Sequence, residues 1–543
     1  MSPHLMLLSL LPILGAGGDH AIQDLRGPGR VDYLIVAADA YAGGCQALLD
    51  YRERTGLTVG AVSLGDVMRA YPDARGSGYS LLQLLGHAQA DWGTRFVLLV
   101  GAATGQENAA IPMWIEPTDY QTDKFPTWPQ LATDFDYATL GSAEVKLHVG
   151  RFPVRSQEQL DQVIARTIGY ETKLRPGDWQ RRVSFLTGDL GYSPEVDRTV
   201  ETVFRDTINT YLPAAYEVRA LAAQTRSIYC PYPPDLSARA LSMLNDGSLF
   251  FVYVGHGAVT GCDTLRWRGQ DYRVLDTGSL PQVDSRSGPP VMIALACWTG
   301  CIAMPDKQAF GEALFDLEHG PAAYIGCSSI SQPYTDTLLG KHLLVSAFSG
   351  KNGTLGEVLD AAKGLILAPD DSAFRKKVDF FAASVQGGPA LASMRGDVVR
   401  QYNLLGDPAL RLRLPAALPL TVTQAEPKAL HITAKAALKT GSALVTLECG
   451  LDRSAHALPT VPAEDAPDFA AKVNERAEAA NDRVMARVQA QVRDGALEAT
   501  LPVPDGLAPG KYLLRVFAQG DDGSAAGAVG VECAQTGELK IGN

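Results

Sequence analysis

Residues 249–257 read Leu-Phe-Phe-Val-Tyr-Val-Gly-His-Gly, and residues 291–297 read Val-Met-Ile-Ala-Leu-Ala-Cys. Each is a short apolar run that stops at a polar, reactive side chain. Runs of this length, rich in β-branched and aromatic residues, predict strands. Strands buried on both faces belong to a parallel sheet covered by helices. In such an open sheet, binding residues collect just past the carboxyl ends of the strands. If the two runs are neighbours, His256 and Cys297 emerge side by side at that edge. A cysteine attacks as its thiolate, and a free thiol keeps its proton to about pH 8.5, so it needs a base. A histidine within reach can take that proton and later return it to a leaving amine. Gly257 removes a side chain beside the histidine. Its backbone N–H, with that of Cys297, is then able to face a developing oxyanion. A single His-Gly at a strand end is most often a turn, and a single Ala-Cys after an apolar run is most often a small buried residue. The pairing at equivalent strand ends is what points to chemistry.

Outward from this pair, the chain alternates between strand and helix. Apolar strands are predicted at 33–37, 59–64 and 96–100, with helical spacing over 41–54 and 81–90. Residues 104–141 are loop-rich, 149–154 reads as an edge strand and 156–175 as a long helix. A second block starts at 183, with strands at 249–254, 291–295 and 322–325 and helices at 235–245, 308–319, 337–349 and 354–367. Two α/β units follow, 30–178 and 179–414, each a mostly parallel sheet flanked by helices. The pattern changes near Pro415. Segments 418–423, 443–448, 497–503 and 512–518 alternate apolar and polar residues, as antiparallel strands do. They predict a β-sandwich over 416–536, interrupted by a helical insert at 464–493. Cys449 and Cys533 end two of these strands and would suit a disulfide in an oxidising compartment.

Composition bounds the function. The chain has 543 residues, 46% hydrophobic and 20% charged, which fits a globular protein of several domains. Lys+Arg is 48 against Asp+Glu 60, a net charge of -12. That acidic balance argues against a nucleic-acid partner, whose footprint is a basic patch. Eight cysteines are too few for a disulfide scaffold in so long a chain. Cys297 and Cys301 have no histidine pair at ligand spacing, so a zinc site is not expected. HExxH, P-loop, GxGxxG and GxSxG motifs are missing. No apolar run reaches the roughly 18 residues of a membrane helix. Residues 5–14 (Leu-Met-Leu-Leu-Ser-Leu-Leu-Pro-Ile-Leu) followed by Gly15-Ala16-Gly17-Gly18 read as a secretory signal over 1–18, hence a secreted or cell-surface protein.

With these segments in view, the sequence resembles the caspase-like cysteine peptidases, and among them the gingipain type. The resemblance rests on apolar strand, His256-Gly257, spacer, apolar strand and Ala296-Cys297. It is carried further by Thr133-Asp134-Phe135-Asp136-Tyr137-Ala138, Val149-Gly150-Arg151-Phe152-Pro153-Val154 and Gly169-Tyr170-Glu171. Asn245-Asp246-Gly247, Gly311-Glu312-Ala313-Leu314 and Tyr402 through Leu410 complete it. It covers about residues 32–412. It implies two caspase-like α/β subdomains with an immunoglobulin-like β-sandwich behind them. It also implies a cysteine endopeptidase acting on polypeptides through Cys297 and His256 and a thioacyl-enzyme. The family's acid that orients the histidine lies just before the VGRFPV-like strand, leaving Glu144, Asp134 and Asp136 as candidates. No cofactor is required. Gingipain-type enzymes can carry structural calcium, although no loop here has EF-hand spacing. The family's long propeptide has no counterpart between the signal and the first strand, so control of activity is expected to differ.

His148, His319 and Glu312 read as structural. Asp407-Pro408 reads as a turn that locks the end of the peptidase-like region. Cys301 reads as core packing before a resolving thiol or a partner of Cys262 or Cys327. The rival readings are a catalytically idle scaffold in surface adhesion or assembly, and a non-proteolytic hydrolase or transpeptidase using the same dyad.

Overall fold

Ten strands line up edge to edge in the computed structural model: Val59–Ser63, Tyr33–Ala37, Phe96–Val100, His148–Phe152, Tyr402–Leu405, Ala323–Cys327, Val291–Leu295, Phe250–Val254, Arg182–Thr187 and Glu217–Ala222. The structure describes residues 20–542 except 23, 120–129, 190, 192–193, 387, 389, 427–428 and 536–538. The expected signal segment 1–18 lies outside the described residues. Every residue of Tyr33–Ala37, Phe96–Val100, Val291–Leu295 and Ala323–Cys327 is buried, as expected of strands covered on both faces.

The pleat divides two cores. Phe251, Tyr253, Met292, Ala294 and Ala296 face one, under the helices Gln157–Thr172 and Leu236–Asn245. Phe250, Val252, Val291, Ile293 and Leu295 face the other, under Pro333–Phe348 and Leu355–Leu367. The helix Leu355–Leu367 starts with a capping box between Thr354 and Glu357, which satisfies first-turn N–H groups that the helix cannot.

The two α/β units share one sheet. Tyr402–Leu405 runs antiparallel to Ala323–Cys327 and parallel to His148–Phe152, and so joins the halves. The other pairings within each half are parallel. The five strands of one half therefore oppose the five of the other, and the carboxyl ends of the second half open along one edge. Segment 149–154, expected at an edge, is central, between Phe96–Val100 and Tyr402–Leu405. Pro153 is no obstacle there, because the strand ends at Phe152 before it.

Two buried arginines brace this arrangement, Arg52 across the two units and Arg151 within the first. Arg52 donates through Nε and Nη2 to Asp407 Oδ2 at 2.9 and 2.7 Å, and through Nη1 to Glu171 Oε1 at 2.8 Å. Asp407 Oδ1 also accepts from the backbone N–H of Ala409 at 2.8 Å, which fixes the turn before Pro408 is passed. Arg151, fully buried, forks onto both oxygens of Asp134 at 2.8 and 2.7 Å.

Beyond residue 415 the chain builds a β-domain with its own core around Val445, Leu447, Leu501, Leu514 and Val516. Its strands follow one hydrogen-bonded path, largely antiparallel, in which Leu420–Glu426 at one end also packs on Gly523–Cys533 and Leu539–Ile541 near the other. The expected helical insert at 464–493 is half right. Phe469–Asn481 is a helix, but Val484–Arg493 is a strand paired with Thr440–Cys449. Its run Val-Met-Ala-Arg-Val-Gln-Ala-Gln-Val-Arg has period two, which outweighs its polar composition. Cys449 and Cys533 are free thiols, not a disulfide. Cys449 pairs with Tyr512 and Cys533 with Gly510, so the strand Gly510–Gly520 lies between them. Two strand spacings are about 10 Å, beyond the roughly 7 Å Cα limit of a disulfide.

Candidate active site

Val254 and Leu295 are paired in parallel register, and Gly255 N–H reaches Leu295 O at 3.3 Å. Two residues past each partner stand His256 and Cys297. Both line one cavity, which runs in among apolar side chains of the second core, including Phe204, Ile208, Val254 and Leu295. His256 is exposed and Cys297 half-buried. Seven of the eight cysteines are buried, and Cys297 is the one that is not.

The histidine loop is held by close backbone approaches. The Tyr253 hydroxyl donates to His256 O at 2.5 Å and accepts from Asp263 N–H at 2.9 Å, so one buried phenol pins both residues. A Cβ on Gly255 would sit 2.9 Å from Gly188 Cα, and one on Gly257 would sit 2.5 Å from Cys297 O. Only glycine lets the His256 loop lie directly on the backbone of Cys297.

The cysteine turn is pinned from the next strand. Trp298 has φ of 55°, a left-handed conformation that costs a bulky residue energy and persists only where the surroundings enforce it. Its N–H donates to Ser329 O at 2.9 Å, and Gly300 N–H donates to Cys327 O at 2.8 Å.

Behind the sulfur lies a polar pocket that the sequence did not reveal. Ser331 N–H points at Cys297 Sγ at 3.3 Å, and Ser331 Oγ is 3.8 Å from it. Ser331 Oγ bonds Asp336 Oδ2 at 2.8 Å, and Tyr402 OH donates to Asp336 Oδ1 at 2.7 Å. Burial pushes the Cys297 thiol up and the Asp336 carboxyl adds to this, while the Ser331 N–H and hydroxyl pull it down. Burial also pushes Asp336 up to about 7, against hydrogen bonds from Tyr402 and Ser331. The resting sulfur is therefore a thiol, and a base must remove its proton.

None of the three expected acids stands among the residues lining this cavity. Asp134 is committed to Arg151 with both oxygens. Glu144 is exposed and pairs with Lys146 at 2.7 Å. Asp136 is pushed up to about 6 by burial and by Glu116, in the first half of the molecule. Asp263 is the acid that feels His256. Burial raises its carboxyl, and the Thr264 N–H and the His256 charge lower it. Its Oδ1 accepts from Thr264 N–H at 2.7 Å, while Oδ2 is sealed from solvent without a full hydrogen bond among the described residues and rests against Gly188. Asp189, exposed just past Arg182–Thr187, acts on Asp263 in turn.

The remaining residues sit as packing and charge dictate. His148 Nδ1 meets Asp360 Oδ2 at 2.8 Å. His319 presents its carbonyl to Ser285. Glu312 is buried in the first turn of Phe310–Phe315 and pairs with Arg155 at 2.8 Å. Cys301 is a buried free thiol. Among the described residues no group of three His, Cys, Asp or Glu is arranged to hold a metal ion. Among them, too, no helix is long and apolar enough to cross a membrane.

A sequence signal for the missed residues exists only in hindsight of the topology. Ser328, Ser329 and Ser331 cluster just past a third apolar strand, and Asp336 is a lone acid in the apolar helix Pro333–Phe348.

The family model for peptidase family C25 matches residues 27–413. Among solved structures, the chain is similar to the Arg specific cysteine proteinase gingipain R (RgpB), at 16% identity and a TM-score of 0.51, over 93% of this chain and 98% of that one. It is similar as well to the complex of Porphyromonas gingivalis RgpB pro- and mature domains, at 16% identity and a TM-score of 0.50, over 92% of this chain and 100% of that one. At that identity the likeness is one of fold. None of the curated proteins matches the chain.

Proposed function

The chain belongs to peptidase family C25 and is a cysteine-type peptidase, and from that premise we propose that it is a secreted endopeptidase with Cys297 as nucleophile and His256 as its base. The observation that carries this reading is the shared register: two reactive side chains, each two residues past a paired strand position, on one cavity.

His256 takes the proton from Cys297 Sγ as the sulfur attacks the scissile carbonyl carbon. The carbonyl oxygen becomes an oxyanion, for which the backbone N–H groups of Gly257 and Cys297 are the proposed donors. The tetrahedral adduct collapses, the C–N bond breaks, and His256 gives its proton to the leaving amine. Water, deprotonated by His256, then releases the acyl group and restores the thiol. Asp263 is the proposed partner of the imidazolium, because its sealed carboxyl and His256 already interact. It is proposed ahead of Glu144, Asp134 and Asp136, because Glu144 pairs with Lys146, Asp134 with Arg151, and Asp136 stands beside Glu116 in the first half.

The export reading rests on the pattern at 1–18, and the immunoglobulin-like reading of the C-terminal β-domain on its antiparallel strands and separate core. The substrates are polypeptides, and the acidic balance argues against nucleic acid. The test is incubation of the purified protein with a peptide library, with the cut sites read and the assay repeated on Cys297→Ala. Cleavage lost in the variant supports the reading. Cleavage retained by Cys297→Ala sinks the nucleophile, and a wild type that cuts nothing leaves the scaffold role in adhesion or assembly.

A further inference from the structure

Asp336 is a buried acid that the peptidase chemistry above does not use. It reaches the nucleophile through one hydroxyl. Ser331 Oγ is 2.8 Å from Asp336 Oδ2 and 3.8 Å from Cys297 Sγ, and carries a single proton to offer. Both acceptors cannot have it at once.

We infer that Ser331 and Asp336 form a hydroxyl–carboxyl switch behind Cys297, in which Asp336 is a positioning residue that decides whether the Ser331 hydroxyl donates to the sulfur. When Asp336 is ionised, it claims the Ser331 proton, and Ser331 Oγ is left to accept from the thiol S–H. When Asp336 is neutral, its own O–H donates to Ser331 Oγ, and the Ser331 hydroxyl turns to the sulfur. The thiolate then receives two donors, the Ser331 N–H at 3.3 Å and the Ser331 O–H. The proton that leaves Sγ goes to His256, while the Asp336 and Ser331 protons stay bound to their own oxygens and change only their acceptors. A neutral Asp336 and a thiolate therefore favour one another.

The surroundings suit such a switch. Asp336 is 7% and Ser331 8% exposed, and Tyr402 is fully buried. The titratable groups that face Asp336 are the Tyr402 phenol and the Cys297 and Cys327 thiols. His256 and Lys341 line the same cavity. The Lys341 ammonium is drawn to Asp370 at 3.6 Å and lies over the Tyr211 and Phe374 rings. Asp336 is held near neutrality in this pocket, where burial disfavours its charge.

The inference rests on Cys297 being the nucleophile, and its test is independent of turnover. Iodoacetamide labelling of Cys297 is followed by peptide mapping across pH in wild type, Asp336→Asn, Ser331→Ala, the double variant and Tyr402→Phe. Asparagine imitates the neutral acid. Asp336→Asn should therefore label roughly three- to tenfold faster than wild type above neutral pH, the range expected of one gained hydrogen bond of ordinary net strength, and converge with it in acid. Ser331→Ala should label more slowly than wild type in acid, and the added Asp336→Asn change should then make no difference. Tyr402→Phe removes a donor to the carboxylate, keeps Asp336 neutral to higher pH and should also speed labelling, so one unstable variant does not decide the matter. An unchanged profile in both Asp336→Asn and Tyr402→Phe overturns the switch. So does an Asp336→Asn effect that persists in full on Ser331→Ala, which would reveal a through-space field only. A wild type that labels as described but cuts no peptide overturns the peptidase reading and leaves the switch standing.

Discussion

Val254 lies opposite Leu295 in parallel register, and the two chains leave the sheet in step, so that His256 and Cys297 meet the same cavity. Parity does the rest. Val254 and Leu295 face the second core, and residues two further on keep that side of the sheet. A shift of one residue in either strand would send one of the pair to the opposite face.

Labelling by a small electrophile should find Cys297 first. The other seven cysteines are buried, and burial pushes Cys45 up to about 12 and Cys230 and Cys301 up to about 11. His256→Ala should slow labelling of Cys297 near neutral pH and reduce kcat/KM by about a thousandfold or more, as loss of a base that acts as a unit with its nucleophile does. A time course by peptide mapping checks both. Another cysteine labelled ahead of Cys297, or equal rates in the two proteins, would speak for an idle pair.

Gly257→Ala tests the closeness of the two loops. The new methyl would lie 2.5 Å from Cys297 O and 2.9 Å from Ala296 Cβ, contacts that force a shift of backbone and not of a flexible side chain. Misplacement on the ångström scale costs about a hundredfold in rate. The expected outcome is a loss of that order in kcat, with an unchanged far-ultraviolet circular dichroism spectrum. Full activity would show that the His256 loop has room that the structure denies.

Asp263→Asn tests the partner of the imidazolium. Removing the charge that faces His256 should lower kcat/KM at its pH optimum, since an orienting carboxylate supports the ring while it carries the proton. Asp189→Asn serves as the comparison. A loss seen with Asp189→Asn and not with Asp263→Asn would transfer the role.

Much of this architecture was written in local pattern, and the parts that were not have physical reasons. The strands that carry His256 and Cys297 are buried on both faces, so their apolar runs are unbroken and easy to read. Tyr402–Leu405 escapes the pattern because it has four residues and a polar Asn403 at its centre, whose amide serves the Asp134 loop. Glu217–Ala222 escapes because it is the edge of the sheet and half of it is not buried. The placement of His256 and Cys297 on one cavity was legible because each follows the end of an apolar strand. Ser331, Asp336 and Asp263 were not, since each matters through a neighbour distant in sequence or through a loop with no motif. Arg52 reads as an ordinary helix surface residue, and its burial follows from Asp407, which the chain reaches only after the sheet is nearly complete.

Arg52→Met asks how far that buried ion pair holds the halves together. Arg52 is 1% exposed, and the change leaves Asp407 without its guanidinium and Glu171 with the Arg411 guanidinium at 2.6 Å and the Tyr51 hydroxyl at 3.0 Å. Breaking one side of a buried pair costs about 3–5 kcal/mol. Urea unfolding should show a stability lower by that amount, and a change under about 1 kcal/mol would mean that water reaches the carboxylates.

The acid limb of stability should carry the signature of His342. This residue is 5% exposed, and neither ring nitrogen has a hydrogen-bond partner among the described residues. Burial, helped by the neighbouring Lys341 charge, lowers its pKa from 6.5 to about 4. The folded protein thus holds a neutral ring where the unfolded chain would bind a proton. The resulting stability is fully present above pH 6.5 and is lost as pH falls through about 4. Asp336 and Asp316, raised to about 7, work in the opposite sense: their contribution is present in acid and fades as pH rises from about 4 to 7. The difference between wild type and His342→Leu removes those common terms. Urea unfolding of both proteins, compared at about pH 7 and about pH 4.5, should show the acid loss reduced in the variant by roughly 2 kcal/mol, most of what a shift of two to three units gives once pH falls below about 4. Parallel pH profiles for the two proteins would mean that the imidazole finds a proton acceptor or water inside the fold, and that its burial does not set the acid limb.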